Sequence, residues 1–592
     1  MSVPFVGFVG NSYESETKYA SIERTVNFFY GPIEDPAETK TRESLFPSPC
    51  NAVFGPIPSA YPYPARGRFE YRGTVYCVNG SIFFTIDQNG NESAPLASEI
   101  VDDGKPVCFT ANGNGQVVFS SGGNLYVWGP GNGTVNTNGT AVTFVSGDVF
   151  KYGQWASGDV ITINGSNYTI SSVSSDSRNL TLNKSAGVQS DVTYNYPKSY
   201  FTVLVAGEND GNTFLGASSI TFQDGYILVV TPNSNQFQIS GNNEIPVGDA
   251  NLWDAANVSI QLGQADYLSA IISNQEYVYL IGNRRSQIYN NVGANGIGGF
   301  PFQTYNDTFL EMGSPSPFTI CPIGNIASEV IAGVSQSNNG SYQAFAFEGL
   351  HVTRISNFAV EQAWSKYPRV DDAVAFSYQW KGHLMWQVSF PSANDGLGAT
   401  WVYDRTVSTM LGRPCWHERT YTDFQGNSRM RSEQSHCFAF GKHLVGSIGV
   451  DGNPGVTYQY ADRPYCDQGV NSQGVSGNRA MVRQRVCPHI WESNKWMIFD
   501  RIEFSMAYGQ GLDGDIAALG ANPVLLLSWS NDGGQTFGTE YEIPVGKMGQ
   551  FSLRVLMNRT GKARDRVFKV VCSDPIYWEF NSANLDVRLL GV

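Results

Sequence analysis

The chain is 592 residues long, 41% hydrophobic, 13% aromatic and only 15% charged, with 63 glycines and a formal net charge of −14. That composition excludes a disordered chain, and many glycines and aromatics beside few charges suit short strands and tight turns rather than long helices. The acidic balance excludes a protein whose main work is gripping nucleic acid, because phosphate binding needs a basic surface; it leaves room for one past which nucleic acid slides.

In chain order, residues 1–65 read as an extended arm. Pro47, Pro49, Pro56, Pro58, Pro62 and Pro64 come too densely for a helix or a central strand, and such an arm is expected to wrap a neighbour or close a ring. The start at Met1 lacks the basic region and apolar core of a signal peptide. No apolar run approaches the roughly 18 to 20 residues of a spanning helix, so no membrane insertion is expected. Nine cysteines (Cys50, Cys77, Cys108, Cys321, Cys415, Cys437, Cys466, Cys487 and Cys572) stand singly. With no CxxC and an odd count they read as buried reduced thiols of a protein made in a reducing cytoplasm.

Hairpins then recur. Phe69 to Asp87 alternates through turns at Arg72-Gly73 and Asn79-Gly80, and Val107 to Trp128 through Asn114-Gly115 and Gly122-Gly123. Ile220 to Ser240, Ile271 to Tyr289, Tyr342 to Ile355, Ala375 to Tyr403 and Cys437 to Tyr460 repeat the design. Outside one insertion the units recur about every 40 to 65 residues, the spacing of propeller blades with variable loops. The expected fold class is therefore all-β: a β-propeller of about six or seven blades over 66–133 and 198–495. A small β-barrel or sandwich is inserted at 134–197, with Asn164-Gly165 as its strongest turn, and a C-terminal β region at 496–592 is either the last blade or a separate domain. One helix is expected, since Val360, Ala363, Trp364 and Tyr367 share a face behind Asn357 as a cap.

Few residues carry chemistry. Ser530 to Phe537 matches the Asp-box S-x-D-x-G-x-T-[FW], a turn-forming motif of sialidase propellers that lies away from their active sites; Asp395 to Trp401 is a looser echo. His351, His383, His417, His436, His443 and His489 form no metal-ligand spacing. His436 and His443, seven apart, read as a pairing without a metal. Asp371-Asp372, just after Pro368-Arg369, reads as a turn or cap rather than as paired catalytic carboxylates, since neighbours on a strand face opposite ways. Arg479, Arg483 and Arg485 form one basic cluster and Arg559, Lys562, Arg564 and Arg566 another; these read as solvated faces or inter-subunit salt bridges before nucleic-acid contacts. No catalytic, cofactor-binding or metal-binding residue is expected, and no enzyme activity.

Several segments resemble the phage packaged-DNA stabilisation proteins, which form the tail hub or nozzle of short-tailed bacteriophages. Phe8 to Tyr30 is similar to that family's G-x-S-Y-x-S…Q-R-x-[IV]-N-[WF]-[YF] opening, and Gly67 to Gly73 to its next hairpin. Gly382-His383, Thr400 to Asp404, Trp416-His417-Glu418-Arg419, Gly441 to Gly446 and Pro488-His489 follow in order, and Ser528 to Phe537 and Gly549 to Pro575 resemble the C-terminal segment. The chain departs from the pattern at the 134–197 insertion and at Glu23, where the family has Gln before its arginine; the second departure is expected to be immaterial. The resemblance implies a virion protein that forms a ring, usually a homo-hexamer, beneath the portal and head-tail adaptor. Such a ring extends the DNA channel, retains the packaged genome, supports ejection, and carries tail spikes, fibres, or a needle or plug. The alternative is a carbohydrate-binding or sialidase-like propeller of a tail fibre.

Overall fold

The computed structural model describes residues 2–34, 42–113, 115–129, 131–147, 156–175, 179–195, 200–207, 214–242, 253, 258–260, 266–293, 299–324, 329–336, 341–423, 425–470, 476–513 and 519–590. Asn114, expected to open a turn, lies outside them, as do parts of the 134–197 insertion. Short strands dominate because the turn chemistry is right: Arg72-Gly73, Asn164-Gly165 and Asp224-Gly225 all hold positive φ at both positions (51° and 79°, 47° and 76°, 50° and 90°). Two-residue hairpins with the native twist need that conformation.

Seven sheets make the blades. They are 65–86, 108–129 completed by Tyr200–Leu204, 219–260, 268–310, 321–354, 374–418, and 433–461 completed by Cys50–Val53. The first blade has three strands, its edge covered instead by isolated bridges from Phe83 to Ala97 and Ile86 to Glu92. The innermost strand of each blade touches the next, with Pro317–Thr319 between the fourth and fifth, and Glu433–Ala439 of the seventh returns against Ala65–Tyr71 of the first. Seven apolar clusters, one per junction, fill the ring. Phe83 meets Phe119 between blades one and two, Trp386 lies with Phe390 and Val334 between five and six, and Cys77 lies with Leu444 and Cys437 between seven and one. A propeller is stable only when every blade face meets a neighbour, so this closed cycle makes the count seven.

The insertion is a closed six-stranded barrel with its own core of Val135, Val142, Ile161, Ile163, Ile170, Leu180 and Leu182. It leaves and re-enters the second blade between Gly129 and Tyr200, which pair with each other. After the last blade comes a β-sandwich. One layer holds Phe28–Pro32, Glu43–Pro47, Met497–Met506, Val555–Ala563 and Phe580–Leu589; the other holds Arg483–Val486, Asp565–Cys572, Val524–Ser530 and Tyr541–Pro544. Phe499, Phe504, Phe568, Trp578 and Phe580 lie between them. The described part of the arm packs within its own chain: it supplies a sandwich hairpin and the strand that closes the seventh blade.

Helix α1 (Phe358–Ser365) forms where its pattern predicts, and the Asn357 side chain accepts from the Val360 N–H at 3.0 Å. A second helix, α2 (Arg405–Leu411), was not expected; Asp404 caps it and Gly412 ends it at φ 63°. The Asp-box lies on the sandwich hairpin Val524–Ser530 to Tyr541–Pro544, not on a blade. Asp532 accepts from Ser530 Oγ (2.6 Å), from the N–H groups of Gln535 and Thr536, and from Thr536 Oγ1 (2.6 Å), and these bonds hold its carboxyl below the usual range. All nine cysteines are unpaired and seven are buried.

Candidate functional site

The residues that matter most converge where arm, propeller and sandwich meet. The five-residue strand Ile22–Val26 lies between the sixth blade and the sandwich: Val26 pairs in parallel with Glu418, and Arg24 to Val26 pair antiparallel with Val486 to Gln484. One continuous eleven-stranded sheet results, running from blade six through the arm into the sandwich.

Alternation sends successive side chains of this strand to opposite faces. Arg24 reaches Glu418 with two hydrogen bonds, Nε to Oε1 at 3.0 Å and Nη2 to Oε2 at 2.6 Å. The Glu418 charge beside it holds the guanidinium well above its ordinary range. Glu23 and Thr25 point the other way, to Arg485. That arginine is wholly buried and donates to the carbonyls of Phe8 (2.7 Å), Asn11 (3.1 Å) and Gly7 (2.6 Å), to Thr25 Oγ1 (3.0 Å) and to Glu23 Oε2 (2.5 Å). A Cβ at Gly10 would come within 2.8 Å of Nη2, so the close approach requires glycine there. Glu23, the expected immaterial departure, is therefore the charge partner of this clasp.

A second buried cluster sits between blades six and seven. Arg419 donates to Gln387 Oε1 (2.7 Å), Tyr460 Oη (2.9 Å) and the Pro49 carbonyl (2.7 Å). Arg431 donates to Glu433 Oε1 (2.9 Å) and bidentately to Asp467 (2.6 and 3.0 Å). Asn51 of the arm binds both acids, through its N–H to Asp467 (2.9 Å) and its amide to Glu433 (3.1 Å). Burial alone would raise the Glu433 carboxyl, but Arg431 and Arg419 overrule it and hold it down to about 2. Two arginines and two carboxylates, buried and bound to one another, fix the geometry of this joint.

The structure corrects the basic clusters. Arg483, Arg485 and Arg566 are buried, so they are neither solvated faces nor DNA contacts. Arg566 donates to Asn531 (2.9 Å) and Thr560 (carbonyl 2.9 Å), and Arg479 bonds Tyr421 and the Asp451 carbonyl. Only Arg559, Lys562 and Arg564 are exposed.

The histidines do not converge. His383 Nδ1 meets Asp404 at 2.6 Å, His489 lies between Asp565 (2.9 Å) and the Lys18 carbonyl (2.7 Å), and His351 is exposed. His436 and His443 touch each other at 3.0 Å beside Tyr378. Burial, and secondarily Arg419, pushes His417 down to about 3; burial, then His443, does the same to His436. Asp371 pairs with Arg369 (2.6 Å) while Asp372 takes the Ser392 N–H (3.1 Å), so the two acids lie on a turn and take separate partners. Among the described residues no group of three or more His, Cys, Asp and Glu is placed to hold a metal ion.

Two family models match the chain: "Bacteriophage P22 Gp10, beta-propeller" over residues 213–453 and "Bacteriophage P22 Gp10, beta-sandwich" over 482–588, together more than half of it. The chain belongs to the bacteriophage P22 Gp10 family. As a member it is a phage structural protein of the virion, and the two family regions coincide with the later propeller blades and the sandwich that the arm joins. No curated protein matches the chain. Among solved structures it is similar to the computationally designed Ika8 protein (9% identity, 70% of this chain and 99% of that one, TM-score 0.30). It is likewise similar to the Neurospora crassa Pan2 WD40 domain (10% identity, 70% and 96%, TM-score 0.33) and to the N-terminal domain of Nup159 (8% identity, 72% and 98%, TM-score 0.30).

Proposed function

We propose that this Gp10-family chain is a ring subunit of the tail hub or nozzle, seated beneath the portal and head-tail adaptor. In this reading it extends the DNA channel, retains the packaged genome and offers attachment to spikes, fibres or a plug. The observation that carries it is the continuous sheet from blade six through Ile22–Val26 into the sandwich. Domains joined by an ordinary linker move against each other. Here backbone pairing and the buried Arg485 cluster tie propeller to sandwich, and the Arg431 cluster locks blades six and seven to the arm, a stiffness that suits a channel wall holding back pressurised DNA. The net charge of −14 suits a wall past which DNA slides. The Asp-box, a structural motif of sialidase propellers, spends its side chains on its own turn and lends no support to the sialidase-like alternative.

The test is an infection in which the phage lacks this chain. Filled heads should form but lose their DNA, read as nuclease-accessible genome, and purified wild-type particles should contain the chain. Stable, infectious particles without it would refute the reading.

A further inference from the structure

One end of the sandwich differs from the rest of the surface. Trp491 is 65% exposed and Trp496 41%, with Leu589 and Leu590 also exposed beside them. Strand pairing places them together: Met497 pairs with both Leu589 and Ala563, Trp491 pairs with Asp565, and the Leu590 N–H donates to the Trp496 carbonyl at 2.9 Å. The hairpin around Arg564 adds cations. Lys562 Nζ lies 5.1 Å, and Arg564 Cζ 5.0 Å, from the centre of the Trp496 ring. Lys495 and Arg559 are exposed nearby, and among the described residues none of these four cations has a carboxylate partner, whereas adjacent Arg588 is held bidentately by Asp500.

Exposed tryptophans among unpaired cations gain nothing from water; Trp and Arg are the residues that anchor protein interfaces. The missing countercharge is plentiful on this chain itself, which carries 52 acidic against 38 basic residues. A basic tip cannot meet its own copy across a two-fold axis, because like charges would then face each other. Contact between copies through it must be head-to-tail, and a head-to-tail contact closes into a ring when its rotation permits. We infer that the Trp491, Trp496, Lys562 and Arg564 tip docks on an acidic face of a second copy of this chain. This rests on the ring reading above and adds the surface and polarity of the contact. Nucleic acid is the poorer occupant: the Trp496 face is already covered by two cations, leaving it closed to base stacking, and the leucines have no part in phosphate binding.

The experiment is sedimentation of the full chain at low and high salt, for wild type and for the Lys562→Glu/Arg564→Glu and Trp491→Ser variants, with thermal unfolding as the check on folding. All three side chains are exposed, so the variants should unfold like wild type. Wild type should form a ring that salt weakens. The charge reversal should weaken association by about tenfold or more, Trp491→Ser similarly, and the charge-conserving Lys562→Arg should leave it as in wild type. Variants that assemble like wild type would overturn the inference while leaving the ring intact. So would tryptophan quenching by duplex DNA that the charge reversal abolishes without affecting assembly. A wild type that never associates, alone or with adaptor, would instead fail the ring reading and take this inference with it.

Discussion

Arg24 and Glu418 stand 394 residues apart in sequence and close a two-point hydrogen bond, at 3.0 and 2.6 Å, across the line where the arm meets blade six. One residue earlier, Glu23 faces the opposite way and meets Arg485 of the sandwich at 2.5 Å. Two neighbours on one short strand thus fasten both sides of the joint, by the simple fact that a strand alternates.

The two fastenings are unequal, and substitution should show it. Arg24 is more than a third exposed, so Glu418→Gln, which keeps the shape and removes the charge, should cost about 1 kcal/mol in denaturant unfolding. A loss above about 3 kcal/mol would mean that the pair is sealed from water in a way this exposure does not allow.

Arg485 is the opposite case. Arg485→Met leaves Glu23 and the carbonyls of Gly7, Phe8 and Asn11 without their donor, and should cost roughly 3 to 5 kcal/mol. Limited proteolysis should then cut within the first thirty or so residues, which wild type protects. Glu23→Gln still accepts a hydrogen bond and should cost about 1 kcal/mol or less. Equal losses from the two changes would show that the clasp depends on the single ion pair and not on the carbonyls.

Acid should loosen the chain in two stages. His417 and His436 are held at about 3 in the folded state, below the ordinary 6.5. The unfolded chain therefore takes up protons first, so their contribution is complete above about pH 6.5 and is lost as pH falls toward 3, at roughly 1.4 kcal/mol per pH unit each. Glu433, held at about 2 against 4.5, adds its own loss only below pH 4.5. Unfolding midpoints measured from pH 7.5 to 3 should slope downward from about 6.5, with His443, also pushed down by burial, adding to the slope. His436→Gln should make the slope between about 6.5 and 4.5 shallower. A profile flat to pH 4.5 would contradict the burial of both rings.

The barrel should be separable. Gly129 and Tyr200 pair at its base, and Asn132 pairs with Asn195 at its entrance. Replacing the chain between Gly129 and Tyr200 by an Asn-Gly turn should turn Asn124–Gly129 and Tyr200–Leu204 into a hairpin of blade two. The thermal midpoint of the remainder should move by no more than about 2 °C, equivalent to roughly 2 kcal/mol in a chain of this size. Collapse of the propeller would show that Phe144, which touches both cores, is indispensable to blade two.

Much of this architecture was legible along the chain, because hairpins are local. The Arg72-Gly73, Asp224-Gly225 and Asn164-Gly165 turns, the Asn357 cap and the strands of the barrel depend on residues within a few positions of one another. What stayed hidden depends on distant pairing. Nothing in Cys50–Val53 announces that it will complete a sheet begun at Glu433, and prolines around it argued for a loose arm. Alternation puts Arg483 and Arg485 on one face of a strand but does not say which face is inward; for Arg485, five carbonyl and side-chain acceptors from the arm decide it. The Asp-box motif predicts its own turn but not the sheet that carries it; its aromatic, Phe537, packs against Ile22 and Val486 at the joint. Helix α2, at seven residues, is too short to leave a periodic signal.

The central claim, a stiff ring subunit of a phage tail, is tested most directly by the particle mass of the full chain in solution, alone and mixed with the phage's head-tail adaptor rings. The account predicts a closed oligomer that joins the adaptor as one larger particle of fixed stoichiometry. A monomer that stays a monomer and never joins a tail complex would contradict it.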